Sequence, residues 1–502
     1  MMITSATYSG LEGILVNVEV DINKGMPSFT IVGLPDASIR ESKERVRSAI
    51  INSGYDFPLG RITINLAPAD VKKIGSLLDL PIAIGILMKS NQIEYKDLKD
   101  FIIFGELSLG GDLKEIKGIL PIIFEGKNNK RNKFIFPFNN LKDLRYFNIG
   151  EMYPLKNLKE VISFINFQDL FPYEFEKEKK ENRKVIKDFS EIIGQRTSKR
   201  AMEISAAGRH NIILYGSPGS GKSMLAKAMP SIIPDLSYEE KIETAKIYSA
   251  SGLEINNIDI PFRTPHHTIT KIALVGGGKD IKAGEITLAH NGILFLDELL
   301  EFRKDVLEVL REPLEEKYIN INRLNSSYKL PSNFILIGAF NPCPCGLYSG
   351  GFDNACVCSD SEIKRYSNRL SKALIDRIDL LTYVPKIKSE DIGKNKDNIN
   401  SKEMKERVIR AREIQKERFK NEIYNYNSEV SGFEVERLLN ISDKALKLIK
   451  IYYDKYNLSM RGYHKIIKVA RTLADLDNCD KVQEHHIFEA LSFRKNINGE
   501  VI

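Results

Sequence analysis

Tryptophan is absent from this chain, and cysteine is scarce, with five among 502 residues. Also missing is any apolar run near the ~20 residues that span a bilayer as a helix, so no membrane is expected among its partners. Met1-Met2-Ile3-Thr4-Ser5 lacks the basic stretch and apolar core of a secretory signal, and export is not expected either. A strong charge of one sign is lacking: 74 Lys and Arg stand against 67 Asp and Glu, a net +7 spread along the chain. That mild excess is compatible with a polyanionic partner and too weak to demonstrate one. No internal repeat and no long low-complexity tract occurs, which excludes a repeat architecture. The length suits roughly three or four domains, each able to bury its own core.

What is present is concentrated in Gly216-Ser217-Pro218-Gly219-Ser220-Gly221-Lys222-Ser223. The preceding Ile212-Ile213-Leu214-Tyr215 reads as a buried strand, and Met224 to Met229 as the helix that the loop opens. Glycines let the backbone curl until successive N–H groups point at phosphate oxygens, aided by the helix N-terminus. At this spacing Lys222 reaches the β- and γ-phosphates and the Ser223 hydroxyl ligates Mg²⁺. The pattern implies ATP with Mg²⁺. A second apolar run, Ile293-Leu294-Phe295-Leu296, reads as a parallel strand ending in Asp297-Glu298. Asp297 is placed to hold the Mg²⁺ shell, and Glu298 to orient and deprotonate an attacking water. A third run, Phe334 to Ala339, ends at Asn341, whose amide would sit beside the γ-phosphate between the first two elements. A nucleotide site, few cysteines and no leader together point to the reducing cytoplasm.

These three strands, in this order, resemble the AAA+ ATPases, with an α/β phosphate-loop core. Within Leu374-Ile375-Asp376-Arg377-Ile378-Asp379, Arg377 resembles that superfamily's arginine finger, which reaches the γ-phosphate of a neighbouring subunit. Ser459-Met460-Arg461, opening a helical run, resembles the second sensor that contacts nucleotide from the lid. A finger supplied in trans implies a homo-oligomeric ring, and the resemblance makes it a hexamer.

Cys343, Cys345, Cys356 and Cys358 form a C-x-C, ten residues, C-x-C pattern. Four thiolates would close a tetrahedral structural Zn²⁺ site, although C-x-C is less typical of zinc than C-x₂-C, and four free thiols is the competing reading. Along the chain, residues 1–169 form an α+β domain and 170–188 a charged linker. The ATPase core runs over 189–385, a polar connector over 386–401, and a helical lid over 402–502. Two insertions interrupt the core. One places Lys279 and Lys282 after Gly276-Gly277-Gly278; the other, from Tyr318 to Leu330, reads as a hairpin carrying Arg323 and Lys329. In a ring's pore these four cations would track a phosphate backbone; solvated hairpin charges is the plain alternative. The adjacent His266 and His267 have no third ligand at useful spacing, so no metal is assigned to them.

Ile31-Val32-Gly33-Leu34-Pro35-Asp36, Asn65-Leu66-Ala67-Pro68-Ala69-Asp70, Gly105-Glu106-Leu107-Ser108-Leu109, Thr264-Pro265-His266-His267, Asn341-Pro342-Cys343-Pro344-Cys345-Gly346 and Ala470-Arg471-Thr472-Leu473-Ala474-Asp475-Leu476 resemble the YifB/ComM family of magnesium-chelatase-like AAA+ ATPases over essentially the whole chain. The resemblance implies an N-terminal domain of the ribosomal S5 domain 2, Lon-protease-like type, and a hexameric ring. It also implies a DNA motor that drives branch migration when transforming single strands are integrated. The Lon nucleophile position aligns near Leu77 and its lysine near Leu120; a one-residue slip would bring in Ser76 but would not place Lys117 as its base, so no peptidase activity is expected. Three functions compete: a DNA translocase on branched intermediates, a chelatase-type remodeller of a protein partner, and, disfavoured, an ATP-dependent protease.

Overall fold

The computed structural model describes residues 2–69, 73, 75–94, 98–147, 149–167, 170–175, 187–255, 259–278, 282–323, 326–348, 356–387 and 399–494. The chain divides into two compact units, residues 1–181 with 241–258, and residues 182–240 with 259–502.

In the first unit, alternating apolar residues build a four-stranded sheet in the order Met2–Ser9, Glu12–Asn23, Arg61–Ala67, Ser28–Val32. Ile62, Ile64 and Leu66 point into the core while their neighbours do not, the period-two signature of a sheet with one covered face. Helix Ala37–Asn52 starts where the Asp36 carboxylate accepts the Ile39 N–H at 2.9 Å. Helix Asp79–Lys89 is buried over ten consecutive residues, Asp79 to Met88. Its buried acid Asp79 is satisfied by Arg45 at 2.7 Å and by the Leu107 N–H at 3.3 Å. A second, all-parallel sheet joins Phe101–Ile103, Lys133–Pro137 and Glu151–Leu155. Leu77 and Leu120, the positions aligned with a serine–lysine dyad, are both buried in one apolar cluster.

The domain boundaries expected from the sequence differ here. Residues 241–258, from the interior of the expected 189–385 core, pack within the first unit: Ser249 accepts the Gly118 N–H at 2.9 Å and the Leu120 N–H at 3.2 Å, and Ala245 joins the cluster containing both leucines. Contacts between distant segments decide such a grouping, and chain composition does not report them. Parts of the expected linker (176–186) and connector (388–398) lie outside the described residues.

The second unit is built on a five-stranded parallel sheet in the order Phe262–Arg263, Ile293–Leu296, Ile335–Phe340, Ile212–Tyr215, Leu380–Tyr383. Ile212–Tyr215 and Ile293–Leu296 are buried throughout, which is why they read as unbroken apolar runs. In register, Tyr215 lies opposite Phe340, and Leu296 opposite Gly338. The phosphate loop, Asp297 and Asn341 therefore all leave the same carboxyl edge, where open parallel sheets bind ligands.

The helices Ser401–Arg418, Asp443–Lys455, Met460–Leu476 and Glu484–Ser492 follow. They are no separate body, since their apolar faces and those of the sheet form one hydrophobic cluster. Inside it, Asp475 is clamped by Arg471 at 2.8 Å, Arg418 at 2.9 Å and the Asn427 amide at 2.8 Å. No helix among the described residues is long and apolar enough to cross a membrane.

Candidate functional site

The phosphate loop curls because Gly219 and Gly221 adopt φ of 74° and 98°, conformations that a side chain disfavours. Helix Lys222–Ala228 then begins directly under the loop. Lys222 is 8% exposed, and its Nζ donates to the carbonyls of Gly216 (2.7 Å) and Ser217 (2.9 Å) and to Asn341 Oδ1 (3.1 Å). Burial pulls its pKa below the usual lysine value, against the pull of Asp297. Ser223 Oγ donates to Asp297 Oδ2 at 2.7 Å. Thus Lys222, Ser223, Asp297 and Asn341, scattered over 120 positions, form one polar cluster, as the motif order implied. The fit to a triphosphate with Mg²⁺ is supported by an orphan: Ser220 Oγ is buried without a hydrogen-bond partner, on the loop whose N–H groups would cradle phosphate.

Glu298 takes up φ 51°, a left-handed turn right after the acidic strand end. Its Oε2 lies 3.2 Å from His267 Nδ1. His267 itself stacks against His266 (4.1 Å between ring centroids) and meets the Phe302 ring edge-on. The sequence pointed to no role for these histidines. The available signal was strand pairing: Phe262 pairs with Ile293 and Arg263 with Leu294, so the segments that leave these two strands start side by side.

Arg377 and Arg461 converge on a residue that no motif singled out. Arg377 Nη2 lies 2.8 Å from Glu315 Oε2, and Arg461 Nη2 lies 3.2 Å from Glu315 Oε1. Arg377 is also held by the carbonyls of Ala373 (2.5 Å) and Arg311 (3.2 Å). Among the described residues, neither arginine bonds to the 216–223 loop.

Cys343, Cys345, Cys356 and Cys358 come together, with all four sulfurs within 4.8 Å of one another. The separations are 3.3 Å for Cys343–Cys345, 3.7 Å for Cys343–Cys356 and 3.6 Å for Cys345–Cys356. Tetrahedral ligation with sulfur about 2.3 Å from Zn²⁺ places sulfurs about 3.8 Å apart, so the cluster fits such an ion. The Leu347 N–H and then its thiol neighbours bring the Cys345 pKa down to about 6, while burial raises that of Cys343. The same loop touches the phosphate loop: Gly346 has φ 78°, and a Cβ there would lie 2.6 Å from Pro218 Cδ.

Of the hairpin cations, Lys282 is exposed in the ribbon of Gly276–Gly277 with Lys282–Ala283. Lys329 lies in the ribbon of Tyr318–Arg323 with Ser326–Pro331, its Nζ 3.7 Å from the Tyr318 ring centroid. Lys279 and the Arg323 side chain lie outside the described residues.

A phosphate loop, an acidic strand end and a polar sensor position on one edge of a parallel sheet define a phosphate-loop ATPase of the AAA+ type. Three family models match: "Magnesium chelatase, subunit ChlI" over 188–392, "Subunit ChlI of Mg-chelatase" over 18–140, and "Magnesium chelatase, subunit ChlI C-terminal" over 398–494. Competence protein ComM of Haemophilus influenzae is 40% identical over 98% of this chain and 97% of its own. YifB of Escherichia coli is 38% identical over 95% of this chain and 94% of its own. The chloroplastic magnesium-chelatase subunit ChlI-2 of Arabidopsis thaliana is 21% identical over 60% of this chain and 73% of its own. The chain belongs to the YifB/ComM family of magnesium-chelatase-like AAA+ ATPases.

Proposed function

We propose that this chain is an ATP-driven hexameric ring motor that moves branched or single-stranded DNA, in the manner of branch migration during integration of transforming strands. The observation that carries the nucleotide half is the cluster of Lys222, Ser223, Asp297 and Asn341 at the sheet edge. The DNA half is supported by near-full-length similarity to a protein named for competence and by the lysines of the two hairpins.

In this reading the carbonyls of Gly216 and Ser217 yield Lys222 to the β- and γ-phosphates, and Asn341 stays beside it. Ser223 and Asp297, already facing each other, would hold Mg²⁺, which would supply charge neutralisation to the triphosphate. Glu298 accepts the proton of the attacking water, and His267 fixes the direction of its carboxylate until then. Arg377, as the finger, and Arg461, as the second sensor, would leave Glu315 to reach nucleotide phosphate. The four-cysteine cluster would hold a structural Zn²⁺.

A second reading, a chelatase-type remodeller of a protein partner, is favoured by the three family models alone. Proteolysis is disfavoured, since the dyad positions are the buried Leu77 and Leu120. The deciding experiment is ATP-dependent movement of a synthetic three- or four-way junction, with Lys222→Ala as control. Movement lost in the variant supports the motor. Hydrolysis without DNA stimulation or junction movement discards the DNA reading in favour of a protein partner.

A further inference from the structure

The first unit carries a cleft of about 300 Å³ that none of the nucleotide chemistry uses. Its floor is aromatic: Phe29, from strand Ser28–Val32, and Phe57, from the loop before Arg61–Ala67, lie 5.8 Å apart between ring centroids. Both rings are half-buried, so one side of each packs on the core while another part stays open. Pro58 and Leu59 extend this apolar surface, with Leu59 92% exposed.

Its rim is cationic. Lys43 and Arg47 line it, and Arg40, Lys43 and Arg47 fall at i, i+3 and i+7 on helix Ala37–Asn52 and therefore share one face, about 4.5 and 6 Å apart along the axis. Arg47 places its guanidinium carbon 5.7 Å from the Phe57 ring centroid. Among the described residues none of these three cations has an ion pair, unlike Arg45 on the same helix, which is committed to Asp79. Among the described residues, Glu44 is the single acid lining the cleft.

Aromatic faces that accept bases without sequence preference, beside cations left free for phosphates, are the two components of a single-strand binding surface. A peptide partner would use the apolar floor but leaves the uncommitted positive charge unexplained. We infer that this cleft is a binding site for single-stranded DNA, in which a base stacks on Phe57 and the flanking phosphates lie along Arg40, Lys43 and Arg47. The inference rests on the DNA reading above and adds to it a site outside the ATPase unit. It gives the N-terminal unit a task that its leucine-filled dyad positions do not: it holds the strand while the ATPase ring acts.

The test is fluorescence anisotropy of the full-length protein with labelled oligo(dT) of about 20 nucleotides, long enough for a single-strand site. Three variants are compared with wild type. They are Phe57→Leu, which keeps apolar volume but removes the π face, the combined Arg40→Gln/Lys43→Gln/Arg47→Gln, and the hairpin variant Lys282→Ala/Lys329→Ala. Loss of one stacked base in Phe57→Leu should weaken binding about tenfold. Loss of three phosphate contacts should make log K against log salt less steep by about 2. A fully paired duplex should show no Phe57 dependence. If both cleft variants bind as wild type while the hairpin variant fails, the cleft assignment falls and the motor reading stands. A charge effect with Phe57→Leu unchanged overturns the stacking site in favour of a plain charged surface. Failure of wild type itself to bind any DNA removes the motor reading and the cleft together, leaving the cleft to a peptide.

Discussion

Replacing Gly346 by alanine tests whether the cysteine loop and the phosphate loop are mechanically joined. Two penalties arise. At φ 78° an L-residue pays about 1–2 kcal/mol for the left-handed conformation. The added Cβ would also lie 2.6 Å from Pro218 Cδ and 2.7 Å from Pro218 Cγ, and a proline ring cannot rotate aside. Overpacking of this kind costs about 1–3 kcal/mol. Only the second penalty falls on the phosphate loop, and each 1.4 kcal/mol or so that moves the loop away from its binding geometry weakens nucleotide tenfold. If the whole of that second penalty falls on the loop, the expected outcome is a roughly 5- to 150-fold rise in the dissociation constant of a fluorescent ATP analogue. Gly432→Ala is the matched control: its φ is 59°, but nothing lies within 4 Å of its Cβ. That variant should lose about 1 kcal/mol of stability from the left-handed strain alone, with nucleotide affinity unchanged within about twofold. Wild-type affinity in Gly346→Ala would refute the coupling.

Other outcomes follow from the same contacts. Arg377→Ala should assemble and fail to hydrolyse ATP, and mixing it with Lys222→Ala protein should partly restore turnover; no restoration at any ratio removes action in trans. His267→Ala releases the carboxylate of Glu298 and should lower kcat about tenfold with KM for ATP nearly constant; a change confined to KM contradicts the positioning role. Asp475→Asn leaves Arg471, 1% exposed, and Arg418 without their anion and should lower unfolding free energy by about 3–5 kcal/mol in urea titrations; a loss below about 1 kcal/mol would show that the amide satisfies both. Metal analysis of reduced protein should find about one zinc per chain, and its absence would return the cluster to four free thiols.

Much of the ATPase site was legible because its parts are local. Eight consecutive residues dictate the curl of the phosphate loop, and unbroken apolar tetrads ending in polar residues mark buried strands whose ends face one edge. Asn341 was legible for the same reason and meets Lys222 as its position implied. The cysteine spacing likewise brought four sulfurs together. The unit boundary was not legible, since residues 241–258 join the first unit through bonds from Ser249 to Gly118 and Leu120, more than a hundred positions away. The contact of His267 with Glu298 was hidden too, because adjacent histidines carry no periodicity and the two residues meet only through the fold.

The sequence by itself determined which chemistry the chain carries: a glycine loop that needs no tertiary context to present N–H groups, a lysine and a serine at its end, and an acidic pair after a buried strand. Tertiary structure decided how that chemistry is controlled. Glu315 gathers Arg377 and Arg461, His267 meets Glu298, Gly346 lies against Pro218, and Phe29 meets Phe57 beside Arg47. The physical reason is the same in each case. Short motifs fix backbone dihedrals within a few residues, whereas these contacts join distant segments whose meeting depends on sheet order, register and packing of a shared core.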